Sequence, residues 1–188
     1  MSKYKFIIDC RENFICTWYT SNVKDENIEI KQLPTSDFMF MRDEKPFICI
    51  ERKRIDDFAS SIVDGRYKTQ KHEMIKFANE HTPRPFLVYL VEQLDVLDDE
   101  DYKSAIKNTS ITKETVVSAI TKTLFRDNFG VIFSKDTQDS IRWLNKVWGN
   151  LCKGEFDCLS EGDIANQYMD NSQRKHNKTV TIDADEKL

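Results

Sequence analysis

The sequence predicts a three-layer α/β domain built around a mixed β-sheet. Short apolar segments alternate along the chain with amphipathic segments, which is the pattern of strands joined by crossover helices. Two apolar segments, 38–41 and 47–53, are separated only by a short polar stretch and predict an antiparallel hairpin. The uninterrupted apolar run 86–92 is typical of a strand that is covered on both faces.

The predicted strands are apolar runs that end at polar or turn-forming residues. In chain order they cover 4–10, 28–33, 38–41, 47–53, 86–92 and 130–133. The last of them, which begins at Gly130, is expected to be buried.

The predicted helices have apolar residues at helical spacing. They cover 56–63, 66–79, 112–126 and 137–151. Gly65 separates the first two helices, and the second must end before Pro83. Thr112 can cap the third helix, and the fourth has one apolar face formed by Ile141, Leu144, Trp148 and Leu151. We therefore expect a domain at 1–153, followed by a polar, mobile tail at 154–188.

The composition is that of a globular protein. Apolar residues make up 39% and charged residues 32%, and the 5 Gly and 4 Pro exclude a fibrous chain. The longest apolar run, 86–91, is too short to span a membrane, and the N-terminus lacks the apolar stretch of a signal peptide. The 5 cysteines show no C-x-x-C spacing and predict reduced thiols. We expect an intracellular protein that does not contact a membrane. The net charge of -4 by itself does not suggest nucleic-acid binding.

The candidate site centres on Glu51, Arg52 and Lys53 at the end of a predicted strand, with Asp37 upstream. Residues i and i+2 of a strand point to the same side, so Glu51 and Lys53 share a face. Asp37 joins them if the hairpin places it opposite Glu51. That register leaves an odd number of loop residues, such as 42–46. A slip of one residue would turn Asp37 to the other face.

Two adjacent carboxylates repel each other unless a cation lies between them. Oxygen ligands favour Mg²⁺ or Mn²⁺, which can generate a hydroxide and stabilise a phosphoryl transition state. A lysine beside the metal can orient the attacking water or hold the scissile phosphate. The cluster therefore predicts phosphodiester hydrolysis of the PD-(D/E)xK type, although E-x-K alone is common among ordinary surface charges.

Other polar residues accompany this cluster. Asp57 lies at the start of the helix after the strand, where its carboxylate can turn back toward the strand end. Asp9, Arg11 and Glu12 lie at or just past the end of the first strand, a common place for functional groups in α/β sheets. Helix capping or turn formation remains the alternative for Asp9 and Asp57.

The string IERKRIDDFASSIVDGRYKTQ resembles the nuclease domain of XPF-type structure-selective endonucleases, which share an ERK-x-x-x-D core. The resemblance extends to IIDCRE, to LPTSDF, which contains Asp37, and to YLVE, which ends at Glu92. More weakly it includes TVVSAITKTLFRDNFGVIFSKD, so that it spans nearly all of 4–150. It implies the restriction-endonuclease-like PD-(D/E)xK fold.

The resemblance also implies roles for individual residues. Asp37 and Glu51 would ligate Mg²⁺ or Mn²⁺ with a backbone carbonyl near Arg52, and Lys53 would act at the phosphate or the water. Further positions of the family's active-site set match Asp9, Arg11, Glu12, Arg52 and Asp57. The family usually has Gly where this chain has Ser36, a position that can require unusual backbone angles.

The implied function is cleavage of branched DNA in repair or recombination, in the nucleus or at another site of DNA replication or repair. A DNA-binding stripe is predicted at Arg54, Arg66, Lys68, Gln70 and Lys71, and a solvated helix face is its alternative. The family commonly carries two helix-hairpin-helix modules, for which 151–188 has too few residues.

The family also dimerises, and we expect a homodimer or heterodimer through 125–151, where Trp143 lies off the apolar helix face. The alternative function is a non-catalytic DNA-binding partner subunit of a heterodimeric nuclease. Such partners typically lose the acidic cluster and the ERK triplet, and this chain has both.

Overall fold

A mixed six-stranded β-sheet forms the centre of the fold in a computed structural model that describes residues 3–93 and 111–157. Its strands are β1 (Tyr4–Asp9), β2 (Ile28–Lys31), β3 (Phe38–Arg42), β4 (Lys45–Arg54), β5 (Phe86–Glu92) and β6 (Gly130–Ser134). Their spatial order is β2-β1-β3-β4-β5-β6. The β1–β3 and β3–β4 pairs are antiparallel, and the other neighbours are parallel. The predicted mixed sheet is confirmed.

Helices cover both faces of this sheet. They are α1 (Asn13–Asn22), α2 (Ile55–Val63), α3 (Arg66–Asn79), α4 (Lys113–Phe125) and α5 (Thr137–Cys152). On one face, α2, α3 and α4 form an apolar core with sheet residues such as Cys49 and Leu87. On the other face, Tyr19 of α1 and Trp148 of α5 pack against Phe6. The three-layer prediction is therefore confirmed, and one helix, α1, was not predicted from the sequence.

The β3–β4 hairpin has the predicted register but a different loop. The strands are joined by a two-residue turn, in which Asp43 and Glu44 have φ of 50° and 59°. Positive φ at both central residues matches the right-handed twist of paired strands. A β-bulge then places Phe47 as one extra residue in β4. The odd number of residues that the register requires thus comes from this bulge, and the predicted loop at 42–46 is wrong.

Two predictions about α4 and β6 have different outcomes. Thr112 caps α4 as expected, because its side chain accepts a hydrogen bond of 3.3 Å from the Thr115 amide. The expectation that β6 is buried is wrong: β6 is an edge strand, and both Gly130 and Phe133 are exposed. A short apolar run cannot show from sequence alone whether a second strand covers it.

The remaining predictions concern thiols, membranes and the tail. The cysteines among the described residues are free thiols: Cys10, Cys16, Cys49 and Cys152. In this same part of the chain, no helix combines the length and the hydropathy needed to cross a bilayer. The predicted tail, 154–188, lies outside the described residues from position 158 onward and stays a prediction.

Candidate active site

The hairpin register places Asp37 beside Glu51, at the edge of the sheet where strands β1 and β4 end. Phe38 lies opposite Ile50, and the Asp37 amide donates to the Ile50 carbonyl over 3.0 Å. The end of β1 joins the same edge, because the Asp9 amide donates to the Asp37 carbonyl over 2.8 Å. Backbone hydrogen bonds from two strands therefore fix the position of Asp37.

Ser36 sets the direction from which the chain enters β3. Its φ is 60°, the left-handed region that glycine adopts most easily, so the unusual backbone expected at this position is present. The Ser36 hydroxyl is buried and donates to the Thr35 carbonyl over 2.6 Å. A local hydrogen bond of this kind helps a serine to occupy a conformation that few side chains adopt.

The two carboxylates lie in an environment that disfavours their charge. Burial, followed by the negative charges of Glu51 and Glu12, holds the pKa of Asp37 well above its usual range. The pKa of Glu51 is raised to about 7, chiefly by burial, while Lys53 lowers it and the negative charge of Glu12 raises it. Carboxylic acids with such raised pKa values bind a cation by releasing protons.

Lys53 is the buried cation of this cluster. Its Nζ lies 3.9 Å from Oε1 of Glu51 and donates a hydrogen bond to the Gln70 side-chain oxygen. Burial lowers the pKa of Lys53, although the negative charges of Glu51 and Asp37 oppose this effect. The predicted triad of Asp37, Glu51 and Lys53 thus converges, and the half-buried Gln70 lies beside it.

Asp9 is a buried carboxylate with a complete set of donors. It accepts from the Arg11 guanidinium at 2.7 and 3.0 Å, from the Arg11 amide at 2.9 Å and from the Leu33 amide at 2.7 Å. Burial alone would raise its pKa, but these hydrogen bonds lower the pKa to about 2. Asp9 therefore anchors the end of β1, and the contact to Leu33 extends this anchor to the chain leaving β2.

Arg52 links the site to two further carboxylates. Its Nε lies 3.1 Å from Oε2 of Glu12, and its Nη1 lies 3.5 Å from Oε2 of Glu92. Its backbone amide donates to Oδ2 of Asp37 over 2.8 Å. No role was predicted for Glu92 from the sequence, although a single charged residue that ends an otherwise apolar strand is a usable signal.

The predicted DNA-binding residues do not all share one surface. Arg54, Arg66 and Lys68 are exposed, and the two arginines pair with neighbouring aspartates of the surface. Contrary to the prediction, Lys71 does not lie with them. It is buried, and its Nζ contacts Asp127 Oδ2 at 2.7 Å and the Tyr67 hydroxyl at 2.6 Å. Its position faces the core, where Asp127 neutralises its charge.

Asp57 acts on the site through its charge. It is exposed on the first turn of α2, and its charge raises the pKa of Lys53.

Across the described ranges 3–93 and 111–157, no three His, Cys, Asp or Glu side chains are arranged to hold a metal. The two carboxylates that the structure brings together, and that could hold a metal, are those of Asp37 and Glu51. This set fits Mg²⁺, which takes oxygen ligands, uses one or two carboxylates and keeps several waters.

The sequence profile of the ERCC4 domain matches residues 8–147. The chain belongs to the ERCC4-domain family. One relative, the structure-specific endonuclease subunit MUS81 of Homo sapiens, is 34% identical over 95 residues, which are 50% of this chain and 15% of that protein. The ERCC4 domain-containing protein EP364R of African swine fever virus is 26% identical over 168 residues, covering 83% of this chain and 44% of the viral protein.

A solved structure supports the ERCC4-domain fold. XPF from Aeropyrum pernix, in complex with DNA, has a TM-score of 0.58 and 19% identity to this chain. The match covers 84% of this chain and 68% of that one. The restriction-endonuclease-like architecture implied by the sequence resemblance is thereby confirmed. The chain spans less than half the length of the MUS81 and viral relatives.

Proposed function

We propose that this chain is the nuclease domain of a metal-dependent endonuclease that hydrolyses phosphodiester bonds in branched DNA, such as flaps and forks. The observation that carries the proposal is the convergence of Asp37, Glu51 and Lys53 at one edge of the sheet. A carboxylate pair beside a lysine is the set of groups that metal-assisted phosphodiester hydrolysis requires. Membership of the ERCC4-domain family, with relatives named structure-specific endonucleases, supports branched DNA as the substrate.

The residues of the site would have two roles, metal binding and contact with the phosphate or the attacking water. Asp37 and Glu51, with a backbone carbonyl near Arg52, would hold Mg²⁺ or Mn²⁺. When bound, this ion lowers the pKa of a water and stabilises negative charge on the phosphoryl group. Lys53 donates a hydrogen bond to the scissile phosphate or to the attacking water, and Gln70 fixes the direction of its ammonium group.

The DNA backbone would lie against the exposed cations Arg54, Arg66 and Lys68. Arg54 and Arg66 pair with Asp56 and Asp64 at 3.2 and 2.7 Å. Surface ion pairs of this kind contribute little to stability, so these arginines can exchange a carboxylate for a phosphate. Because phosphate contacts do not read base sequence, selectivity would come from the shape of the branch.

A dimer would form through 125–151, either with a second copy or with a related partner. Phe125, Phe133 and Trp143 are 81%, 43% and 42% exposed, and β6 is the last strand of the sheet within the described part of the chain. Large apolar side chains exposed on neighbouring segments of the chain are typical of interaction surfaces when they form one patch. Phe129 is buried in the core and does not contribute to this surface. The function implies a nuclear or other DNA-associated location.

A cleavage assay tests the proposed function. Labelled duplex, single-stranded, forked and flap DNA are incubated with Mg²⁺, Mn²⁺, Ca²⁺ or EDTA. We expect cleavage of branched DNA with Mg²⁺ or Mn²⁺, little with Ca²⁺ and none with EDTA. Asp37→Asn should abolish cleavage, whereas Asp43→Asn, in the exposed turn at the opposite end of β3, should not.

Two outcomes would contradict the proposal. Cleavage that persists in EDTA or in Asp37→Asn would show that the carboxylate pair is not responsible. DNA binding without cleavage of any branched substrate would favour the non-catalytic partner subunit instead.

A further inference from the structure

Glu92 is a fully buried carboxylate at the end of β5, beside the candidate active site. It is 1% exposed, although an isolated buried carboxylate is strongly unfavourable. Three groups satisfy it: the Ser140 hydroxyl donates to Oε1 over 2.6 Å, the Thr137 hydroxyl donates to Oε2 over 3.3 Å, and Arg52 Nη1 lies 3.5 Å from Oε2. The first two groups belong to the first turns of α5.

Arg52 connects this carboxylate with the candidate metal ligands. One side of its guanidinium faces Glu92, and its Nε lies 3.1 Å from Glu12. Its amide donates to Asp37 over 2.8 Å, and the negative charge of Glu12 acts on both Asp37 and Glu51. The backbone of Arg52 therefore orients Asp37, and the position of its guanidinium affects the electrostatic field at the carboxylate pair.

We propose that Glu92 is a positioning residue that controls cation binding by holding Arg52, an inference that rests on the proposed function. Glu92 and Glu12 both pair with Arg52, so that Arg52 offsets only part of the negative field that Glu12 exerts on Asp37 and Glu51. Without Glu92, the guanidinium can make a second contact with Glu12 and offset more of this negative field, which weakens the attraction of the carboxylate pair for a divalent cation. Residues that orient metal ligands through a second contact typically change metal affinity or activity by roughly 10–100-fold.

Glu92→Gln tests this inference, because Gln keeps the size of the side chain and can still accept from Ser140. Ca²⁺ affinity is measured by titration calorimetry without DNA. We expect the variant to bind Ca²⁺ at least about tenfold more weakly than the parent. Half-maximal cleavage should require correspondingly more Mg²⁺, whereas the KM for DNA should stay unchanged. Glu44→Gln, in the exposed hairpin turn, is the matched control and should behave as the parent.

Ser140→Ala covers the possibility that Glu92→Gln folds poorly. It removes the 2.6 Å hydrogen bond that orients Glu92 but keeps both charges. We expect it to weaken Ca²⁺ binding in the same direction, to a smaller extent.

Unchanged Ca²⁺ affinity in folded Glu92→Gln and Ser140→Ala would overturn the inference, even if their melting temperatures fell, because Glu92 would then serve the fold alone. A parent that binds no divalent cation would overturn the proposed function itself. The two failures are therefore distinguishable.

Discussion

Replacing Glu51 by Gln should make the metal-free protein more stable while it removes cation binding. Burial of the Glu51 carboxylate raises its pKa from the ordinary 4.5 to about 7, and Lys53 offsets only part of that effect. The ionised form is therefore unfavourable in the folded protein. Gln is nearly the same size and has no charge to bury.

The magnitude follows from proton linkage. At about 1.4 kcal/mol for each tenfold change in proton affinity, ionised Glu51 destabilises the folded state by up to about 3 kcal/mol. The protonated group contributes its stability fully below the unfolded pKa near 4.5, and that contribution is lost as the pH rises through about 7. The advantage of the variant should therefore be small at pH ~4.5 and largest at pH ~8.

Thermal unfolding in EDTA across this pH range measures the effect. For a domain of this size, about 3 kcal/mol corresponds to a rise in Tm of roughly 6–12 °C at high pH. Ca²⁺ should stabilise the parent but not Glu51→Gln, because the variant lacks one of the two carboxylates. Glu73→Gln, exposed on α3, is the control and should show neither effect.

One result would refute this reasoning. If Glu51→Gln were less stable than the parent at high pH in EDTA, the Glu51 carboxylate would be stabilising the fold through Lys53. The pair would then be a structural salt bridge rather than a cation-binding site held at a cost in stability.

Four further predictions concern catalysis, DNA binding, fold stability and assembly. Lys53→Ala should lower kcat by roughly 10²–10³-fold with DNA affinity nearly unchanged, and a large fall in Tm instead would show a structural role. Arg66→Ala combined with Lys68→Ala should weaken binding to all DNA structures alike and reduce the salt slope by about 0.9 for each lost contact, whereas unchanged slopes would place the DNA elsewhere. Lys71→Ala should leave that slope unchanged but cost roughly 3 kcal/mol in unfolding measurements, because it breaks a buried ion pair. Light scattering should show a dimer at micromolar concentration that Phe125→Glu dissociates, and a monomeric parent would contradict the dimer proposal.

The sequence predicted the register of the β3–β4 hairpin correctly but not the length of its loop. Side chains alternate strictly along a strand, so the requirement that Asp37 and Glu51 share a face determines the register. The same requirement can be met by an odd loop or by a short turn with a bulge, and the sequence does not choose between them. The structure uses the second solution, with the extra residue at Phe47.

Helix α1 was missed because its local signals are weak. Only Ile15 and Tyr19 of this helix are buried, Phe14 is exposed, and the N-cap residue Glu12 makes no capping hydrogen bond with its side chain. Most of its stability must come from packing against β1, which a local pattern does not report.

Lys71 was wrongly predicted to lie on the DNA-binding surface, although the local pattern of α3 is clear. Its charge suggested an exposed position, whereas its spacing from the apolar residues of α3 places it on the buried face. It lies in register with Tyr67, Met74 and Ala78, the buried face of α3. A lysine at a core position of an amphipathic helix predicts a buried acidic partner. Asp127, far along the sequence, is that partner, and no pattern local to α3 could have identified it.

Asp9 and Asp37 show why the carboxylate pair points to a function rather than to fold stability alone. Both lie at the same edge of the sheet. Four hydrogen bonds satisfy Asp9 and lower its pKa to about 2. The Asp37 carboxylate accepts a single hydrogen bond within the described part of the chain, from Arg52, and its pKa is raised. The fold can therefore stabilise a buried carboxylate here, yet it places Asp37 and Glu51 together at a cost in stability. Strain of this kind is concentrated at functional sites, and a divalent cation is the ligand that would relieve it.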